Sequence, residues 1–424
     1  MSAMAAPAPA IARVGGVGAL AQSFAPGERV FLPGSAAEIP ALMDALADAG
    51  APALDLTTSF VPGINPSPLG RLPEGTVLTS MFAQTGEPGA QAAGRFRHLP
   101  LSYGGFARHL SEGLSFDTCV AHVAPPDSDG RCSLGAAVEF TPIAAARARR
   151  VIAVINPQMP SLPGAEALAL GDFAIVAECD APLRTYDVGA PSDEARLIAA
   201  HVAAFITDGA ALQIGLGKVP DALLRMLNDR RGLRLHSGML SDSVMALEAA
   251  GALDQDFAHT SCVHVGTAAY YAWLGGRKDF SVRSCSHTHA AGVLAGLPRL
   301  VAVNSALSVD LFGQANLEML DGRMISGCGG APDFARGASL SPGGISIIAL
   351  PSASRRGDVS RIVASLDGPC SITRADIDVI VTEHGAADLR NCSAVERGAR
   401  IIAIAAPQHR ASLQSAFRKI SSKF

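Results

Sequence analysis

Residues 209–245 read GAALQIGLGKVPDALLRMLNDRRGLRLHSGMLSDSVM, and this stretch decides the fold. A short apolar run, Ala210 to Ile214, predicts a strand. Gly215-Leu216-Gly217-Lys218 predicts a turn, where glycine permits positive φ and lets backbone N–H groups approach a ligand closely. Pro220 suits the first turn of a helix, because its missing N–H would have no partner there. Leu223, Leu224 and Leu227 follow at helical spacing. Leu233-Arg234-Leu235 predicts a second strand, which delivers His236-Ser237-Gly238-Met239 at its tip. In open α/β sheets ligands sit beyond the carboxyl ends of strands, and both the GLGK turn and the HSGM segment fall there.

The same theme occurs near the start of the chain. Residues 27–46, GERVFLPGSAAEIPALMDAL, predict a strand (Arg29 to Leu32), a Pro33-Gly34 turn and a helix opened by Pro40. Gly34 and Gly217 are 183 residues apart, and Pro40 and Pro220 are 180 apart. This repetition predicts two related α/β units. A chain of 424 residues is long for one core, which favours the same division. The polar stretch TYDVGAPSDEA places the boundary near residue 190. The expected organisation is a loose N-terminal tail over residues 1–22, one α/β domain over 23–190 and a second over 191–424. Other predicted strands are Asp117 to Val123, Arg150 to Ile155, Leu300 to Val303, Gly344 to Leu350 and Asp376 to Val381. Their alternation with helical patterns argues for mostly parallel sheets.

Composition removes several functions. The chain is 49% apolar and 17% charged, with 43 glycines and 27 prolines, an ordinary α/β composition rich in turns. Its formal net charge is −4, and lysine and arginine do not cluster, so neither nucleic acid nor a membrane surface is expected as a partner. No apolar run reaches transmembrane length. The eight cysteines are scattered without a CxxC pair. That spacing argues against a metal centre and for reduced thiols in a cytoplasmic setting.

Several loops carry candidate chemistry. Asn156-Pro157-Gln158-Met159-Pro160 closes a strand and reads either as a stiff turn or as a cleft lining, with Asn156 and Gln158 its polar reach. Gly327-Cys328-Gly329-Gly330 permits a nest of backbone N–H groups for an oxyanion or phosphate. His287-Thr288-His289 would share a strand face as a histidine pair, but the sequence shows no clear cysteine or carboxylate partner for them. His236 and Ser237 are neighbours in a strand and point to opposite faces, which disfavours a Ser–His dyad.

Together these stretches resemble the acetyl-CoA hydrolase/transferase family of CoA-transferases, nearest its 4-hydroxybutyrate and acetate (butyrate) members. The resemblance is carried, in order, by VAPPDSDGRCSL (123–134), VINPQMP (154–160), LQIGLGKVPDAL (212–223), LHSGMLSDSVM (235–245), NSALSVDLFGQ (304–314), GCGGAPDFARGA (327–338) and VTEHGAADLR (381–390). It implies two similar open, mostly parallel α/β domains facing across a cleft that takes a CoA thioester. No tightly bound cofactor is implied; coenzyme A or acyl-CoA is the substrate, and the assembly is a homo-oligomer. By motif position, Gly215, Gly217, Lys218, Pro220, Asn304, Ser305 and Gly327 would contact CoA. Gly329, Gly330, Asn156, Gln158, Met159 and Met239 would form the oxyanion and acyl pocket.

The resemblance also implies a nucleophilic glutamate in an HSEM segment. Its carboxylate attacks the thioester, releases CoA thiolate and forms a mixed anhydride. The thiolate then returns to give an enzyme–CoA thioester. Here the segment is HSGM, so Gly238 stands in the nucleophile's place and can form neither intermediate. Ser308 replaces a usual acidic residue, and Lys218 a usual small one; Lys218 either faces the CoA phosphates or is solvated. Loss of the glutamate predicts room for water or a small acceptor, hence hydrolysis or direct acyl transfer, with His236, Cys328, Glu383 or His384 as base or nucleophile. The alternatives are CoA transfer through Glu318 or Glu383, and an acyl-CoA binder without catalysis.

Overall fold

In this computed structural model the described residues are 11–48, 50–66, 68–83 and 89–422. Their contacts divide them into two units, each wound around a strand–glycine turn. The first comprises residues up to Leu99, Phe106–Thr185 and Thr267–Ser284; the second comprises Pro100–Gly105, Tyr186–Gly266 and Cys285 onward. Thr185 and Tyr186 fall in different units. Two short segments, 100–105 and 267–284, belong to the unit opposite to the one their sequence position suggests.

The first unit is built on strands β1 (Ala12–Val14), β2 (Arg29–Leu32), β3 (Asp55–Thr58), β4 (Val77–Ser80), β5 (Phe96–His98), β6 (Phe116–Val123), β7 (Ala148–Ile155) and β8 (Ile175–Glu178). They form a parallel sheet in the order β1-β8-β7-β6-β2-β3-β4-β5. The chain winds outward from β2 in both directions, so the turn after β2 lies where the strand order reverses. Gly34 fills that turn because an added Cβ would lie 2.2 Å from the Ser59 carbonyl oxygen. Leu20, Val30, Leu42, Leu56 and Ile152 pack in its core. The loose tail expected over residues 1–22 does not hold from Ala12 on. Ala12–Val14 pairs in register with Ile175–Ala177, and Leu20 and Ala21 are fully buried. Residues 1–10 of that expectation lie outside the described residues.

The second unit repeats the pattern with β9 (Ala211–Ile214), β10 (Arg234–Leu240), β11 (His259–His264), β12 (Leu300–Ser305), β13 (Ile345–Ala349), β14 (Val379–Thr382) and β15 (Gly385–Asp388). Within the unit they run β11-β10-β9-β12-β13-β14-β15, parallel except for the closing β14–β15 hairpin. Here the order reverses between β9 and β12. Gly217 adopts a φ of 125°, open to glycine, and N-caps the helix Lys218–Met226. Leu223 and Leu224 bury the inner face of that helix, while Asp221 pairs with Arg225 one turn on, at 3.0 Å. No helix among the described residues is long and apolar enough to cross a membrane.

Candidate active site

The HSGM segment lies inside β10, not at its tip. β9 pairs with β10 only at Ala211–Leu212, although β9 continues to Ile214, so the ladder between them ends just before the segment and β10 runs on beyond β9. Ser237 marks the divergence: its Oγ lies 2.7 Å from the Ile214 carbonyl oxygen, to which it donates. On the other side, β11 stays in register with His236↔Thr260, Ser237↔Ser261 and Met239↔Val263. That register sets Cys262 beside Gly238, and the Cys262 thiol donates to the Gly238 carbonyl at 3.0 Å.

Two rings occupy the ground next to Gly238. A Cβ added there would lie 3.3 Å from His289 Nε2 and 3.5 Å from the Phe334 ring. The same imidazole crowds Gly330, whose added Cβ would lie 2.3 Å from Nε2. A side chain leaving Gly238 would therefore start against His289 and Phe334. Phe334 is rooted in a core cluster with Ala211, Leu300 and Ala302. It meets His289 edge-on with centroids 4.7 Å apart, and Tyr103 stacks on the same imidazole at 4.8 Å. Burial pushes the His289 pKa down to about 3, and His236 acts in the same direction, so the ring is neutral across the physiological range.

Tyr103 comes from the 100–105 segment, which is pinned to the glycine loop. The Tyr103 N–H donates to the Gly329 carbonyl at 3.0 Å. Asp333, in the first turn of the helix Ala331–Leu340, accepts from Ser102 Oγ at 2.8 Å and from the Gly104 N–H at 3.0 Å. Burial raises the Asp333 pKa, against the pull of those two bonds. Gly329 adopts a φ of 59°, and Gly330 caps the helix, so Gly327-Cys328-Gly329-Gly330 turns directly into a helix N-terminus.

The sequence candidates separate into groups. His236 is buried, with Nε2 3.0 Å from the Thr288 carbonyl oxygen, and burial lowers its pKa to about 4. Cys328 is a poor nucleophile, because burial first, then the charges of Glu318 and Asp333, push its thiol up to about 12. Glu383 and His384 follow β14, four strands from β10, which is about 19 Å at ordinary strand spacing. There Glu383 accepts from the Ser352 N–H at 2.9 Å and from Ser352 Oγ, with His384 Nε2 3.3 Å away. As bases over Gly238 they are ruled out by that separation. Glu318 is buried and accepts from Ser371 Oγ at 2.7 Å.

Lys218 lines a hollow of the second unit together with Arg355, Arg361, Glu194, Ala306 and Pro351. Three cations facing one hollow at a helix N-terminus suit a phosphorylated ligand. Gln213 and Asn304 clasp each other across β9 and β12 through both amides, at 3.2 and 3.3 Å. In the first unit the polar reach of Asn156 is spent internally: its Nδ2 lies 3.0 Å from His122 Nε2 and 2.8 Å from the Ala181 carbonyl, and its Oδ1 accepts from Gln158 N–H. Gln158 and Met159 do line a hollow, beside Pro125, Pro160 and Tyr271.

The histidine pair needs the largest correction. Cys285–Thr288 is a helical turn, not a strand, and two cysteines do lie close to His289. The ligand atoms of Cys262, Cys285 and His289 lie within 4.8 Å of one another, all buried. One signal for this was present in the sequence, since Cys285 and His289 are one helical turn apart. Tyr103 and Phe334 carried no comparable mark.

The glycine pair gives a direct test of this packing. Gly330→Ala should destabilise the protein by about 1–3 kcal/mol, since the added methyl meets a pinned ring. In a His289→Ala background the loss should shrink. Urea denaturation of the four proteins measures it, and an equal loss in both backgrounds would remove His289 as the cause.

Models of the acetyl-CoA hydrolase/transferase N-terminal and C-terminal domains match residues 79–178 and 266–417. The chain belongs to the acetyl-CoA hydrolase/transferase family. It is 36% identical over 314 residues to the 4-hydroxybutyrate coenzyme A transferase of Clostridium kluyveri, covering 72% of this chain and 73% of that protein. It is 28% identical over 378 residues to an acetyl-CoA hydrolase of Eremothecium gossypii, covering 75% and 71%. Among solved structures, RipA from Yersinia pestis superposes with a TM-score of 0.88 at 30% identity, over 97% of this chain and 98% of that one. The family thus includes both CoA transferases and acetyl-CoA hydrolases, and the two parallel α/β units of this chain are CoA-transferase-like.

Proposed function

We propose that this protein takes an acyl-CoA thioester and cleaves it without an enzyme-bound glutamyl intermediate, by hydrolysis or by direct transfer of the acyl group to a bound acceptor. One observation carries the reading: Gly238, at the motif position of the nucleophilic glutamate, has no side chain, and the rings of His289 and Phe334 stand against it. In hydrolysis, water adds to the thioester carbonyl, CoA leaves as the thiolate and takes up the proton, and the carboxylic acid is released. The Gly327–Gly330 loop and the helix N-terminus behind it supply backbone N–H groups for the oxyanion. Lys218, Arg355 and Arg361 supply the charge for the CoA phosphates. The same reading takes the protein as cytoplasmic and homo-oligomeric, with no tightly bound cofactor.

A second reading has one observation in its favour. Glu318 is buried, and its charge acts on Cys328 within the glycine loop, so CoA transfer through that carboxylate is the competing mechanism. One assay separates these and the binding-only reading. Acetyl-CoA and longer or aromatic acyl-CoAs are incubated with the protein, with and without acetate, and free thiol and labelled acetate are followed. Thiol release without acetate is expected for hydrolysis. Exchange that strictly requires acetate, together with a borohydride-sensitive adduct lost in Glu318→Gln, would overturn the proposal. Tight acyl-CoA binding with no turnover of any substrate would make the protein a sensor.

A further inference from the structure

We infer that Cys262, Cys285 and His289 form a buried Zn²⁺ site beside Gly238. The inference is independent of the thioester reading, because it rests on ligand chemistry and is read by metal binding.

Three elements bring the ligands together. β11 carries Cys262 alongside Gly238, and the helical turn Cys285–Thr288 carries Cys285 at its start. His289 follows one turn later, its N–H bonded to the Cys285 carbonyl at 3.1 Å. Both cysteines are 0% exposed and His289 is 4% exposed. Their ligand atoms lie within 4.8 Å of one another. Tetrahedral Zn²⁺ with its usual bond lengths needs about 3.8 Å between sulfurs and about 3.6 Å between sulfur and nitrogen. Small side-chain movements therefore close the set.

The imidazole is oriented for the task. His289 Nδ1 lies 2.9 Å from Thr288 Oγ1, the kind of outer partner that holds the proton on one ring nitrogen and leaves the other as ligand. Nε2 lies close to Gly330 and Gly238, and Cys262 Sγ donates to the Gly238 carbonyl. Two thiols and an imidazole, a Cys₂His set, match zinc rather than calcium or magnesium, which take oxygen ligands. Binding releases the two thiol protons.

The test uses the full-length protein purified without chelator. Native mass spectrometry and elemental analysis should show one zinc per chain. After chelation, Co²⁺ should produce a thiolate-to-cobalt charge-transfer band. That band should disappear in Cys262→Ser and Cys285→Ser and persist in Cys370→Ser. Thr288→Val should weaken the metal roughly tenfold or more through the lost outer partner. The wild-type protein alone can overturn the inference, so it does not depend on the variants folding. No zinc on isolation with no cobalt band would do so, as would a non-reduced mass showing Cys262 and Cys285 joined as a disulfide.

Discussion

Replacing Gly238 by glutamate is expected to introduce acetate-dependent CoA exchange, together with an enzyme–CoA thioester that borohydride destroys. The residue lies in a regular strand with no backbone requirement for glycine, since its φ is outside the left-handed region. A carboxylate there could attack the thioester carbonyl, expel CoA thiolate and form a mixed anhydride. The thiolate would then attack the glutamyl carbonyl, release the carboxylate and leave the enzyme–CoA thioester. The packing sets the difficulty. The new Cβ would lie 3.3 Å from His289 Nε2, and that ring is held by Tyr103, Phe334 and Thr288. Insertion should therefore lower stability by about 1–3 kcal/mol. A Gly238→Glu/His289→Ala double variant should relieve part of it and raise exchange further. Exchange of labelled acetate into acetyl-CoA, with mass analysis of the borohydride-treated protein, measures the outcome. A folded variant that binds CoA normally yet shows neither exchange nor thioester would mean that the catalytic surroundings have diverged as well.

How far the sequence reached is clear from the residues around that glycine. Strand–glycine–helix punctuation is local, so the turns at Gly34 and Gly217 and the helices behind them were legible. So was the strand carrying Gly238, although its length was not: a period-two pattern does not show that β10 outruns β9. Contacts between distant segments left no local trace. Tyr103 reaches His289 only because Asp333 anchors Ser102 and Gly104 from more than two hundred residues away. Cys262 meets Cys285 and His289 because parallel strands align in a register that no single sequence discloses. Asn156 illustrates the opposite error. A polar residue at the end of a strand, just before Pro157, looked like a ligand group, and its bonds turned out to be internal. Sequence marks that a polar group is present; only packing decides where its hydrogen bonds go.

That internal role of Asn156 leads to a large expected pH effect. His122 is buried with Nδ1 3.1 Å from the Ala37 carbonyl and Nε2 3.0 Å from Asn156 Nδ2. Nδ1 donates and Nε2 accepts, an arrangement only the neutral ring satisfies. A second proton would set Nε2–H against the Asn156 donor. Burial, acting over the backbone bonds to Ala37 and Glu38, brings the pKa from 6.5 down to about 4. The unfolded chain then binds more protons than the folded one between those values. Stability is complete above about pH 6.5 and is lost as pH falls toward 4. At pH 4.5 the loss is roughly 2–3 kcal/mol for His122, from nearly two pH units at about 1.36 kcal/mol each. His236, lowered to about 4 as well, contributes a similar amount, so the two together approach the stability of an ordinary domain. Urea denaturation at pH 7.5 and 4.5 measures the change. His122→Gln keeps a donor and an acceptor but does not titrate, and it should lose roughly 2–3 kcal/mol of the pH dependence. An unchanged pH dependence in His122→Gln would show that His122 is not a group that acid attacks, and would leave the other buried histidines, His236, His264 and His289, to account for it.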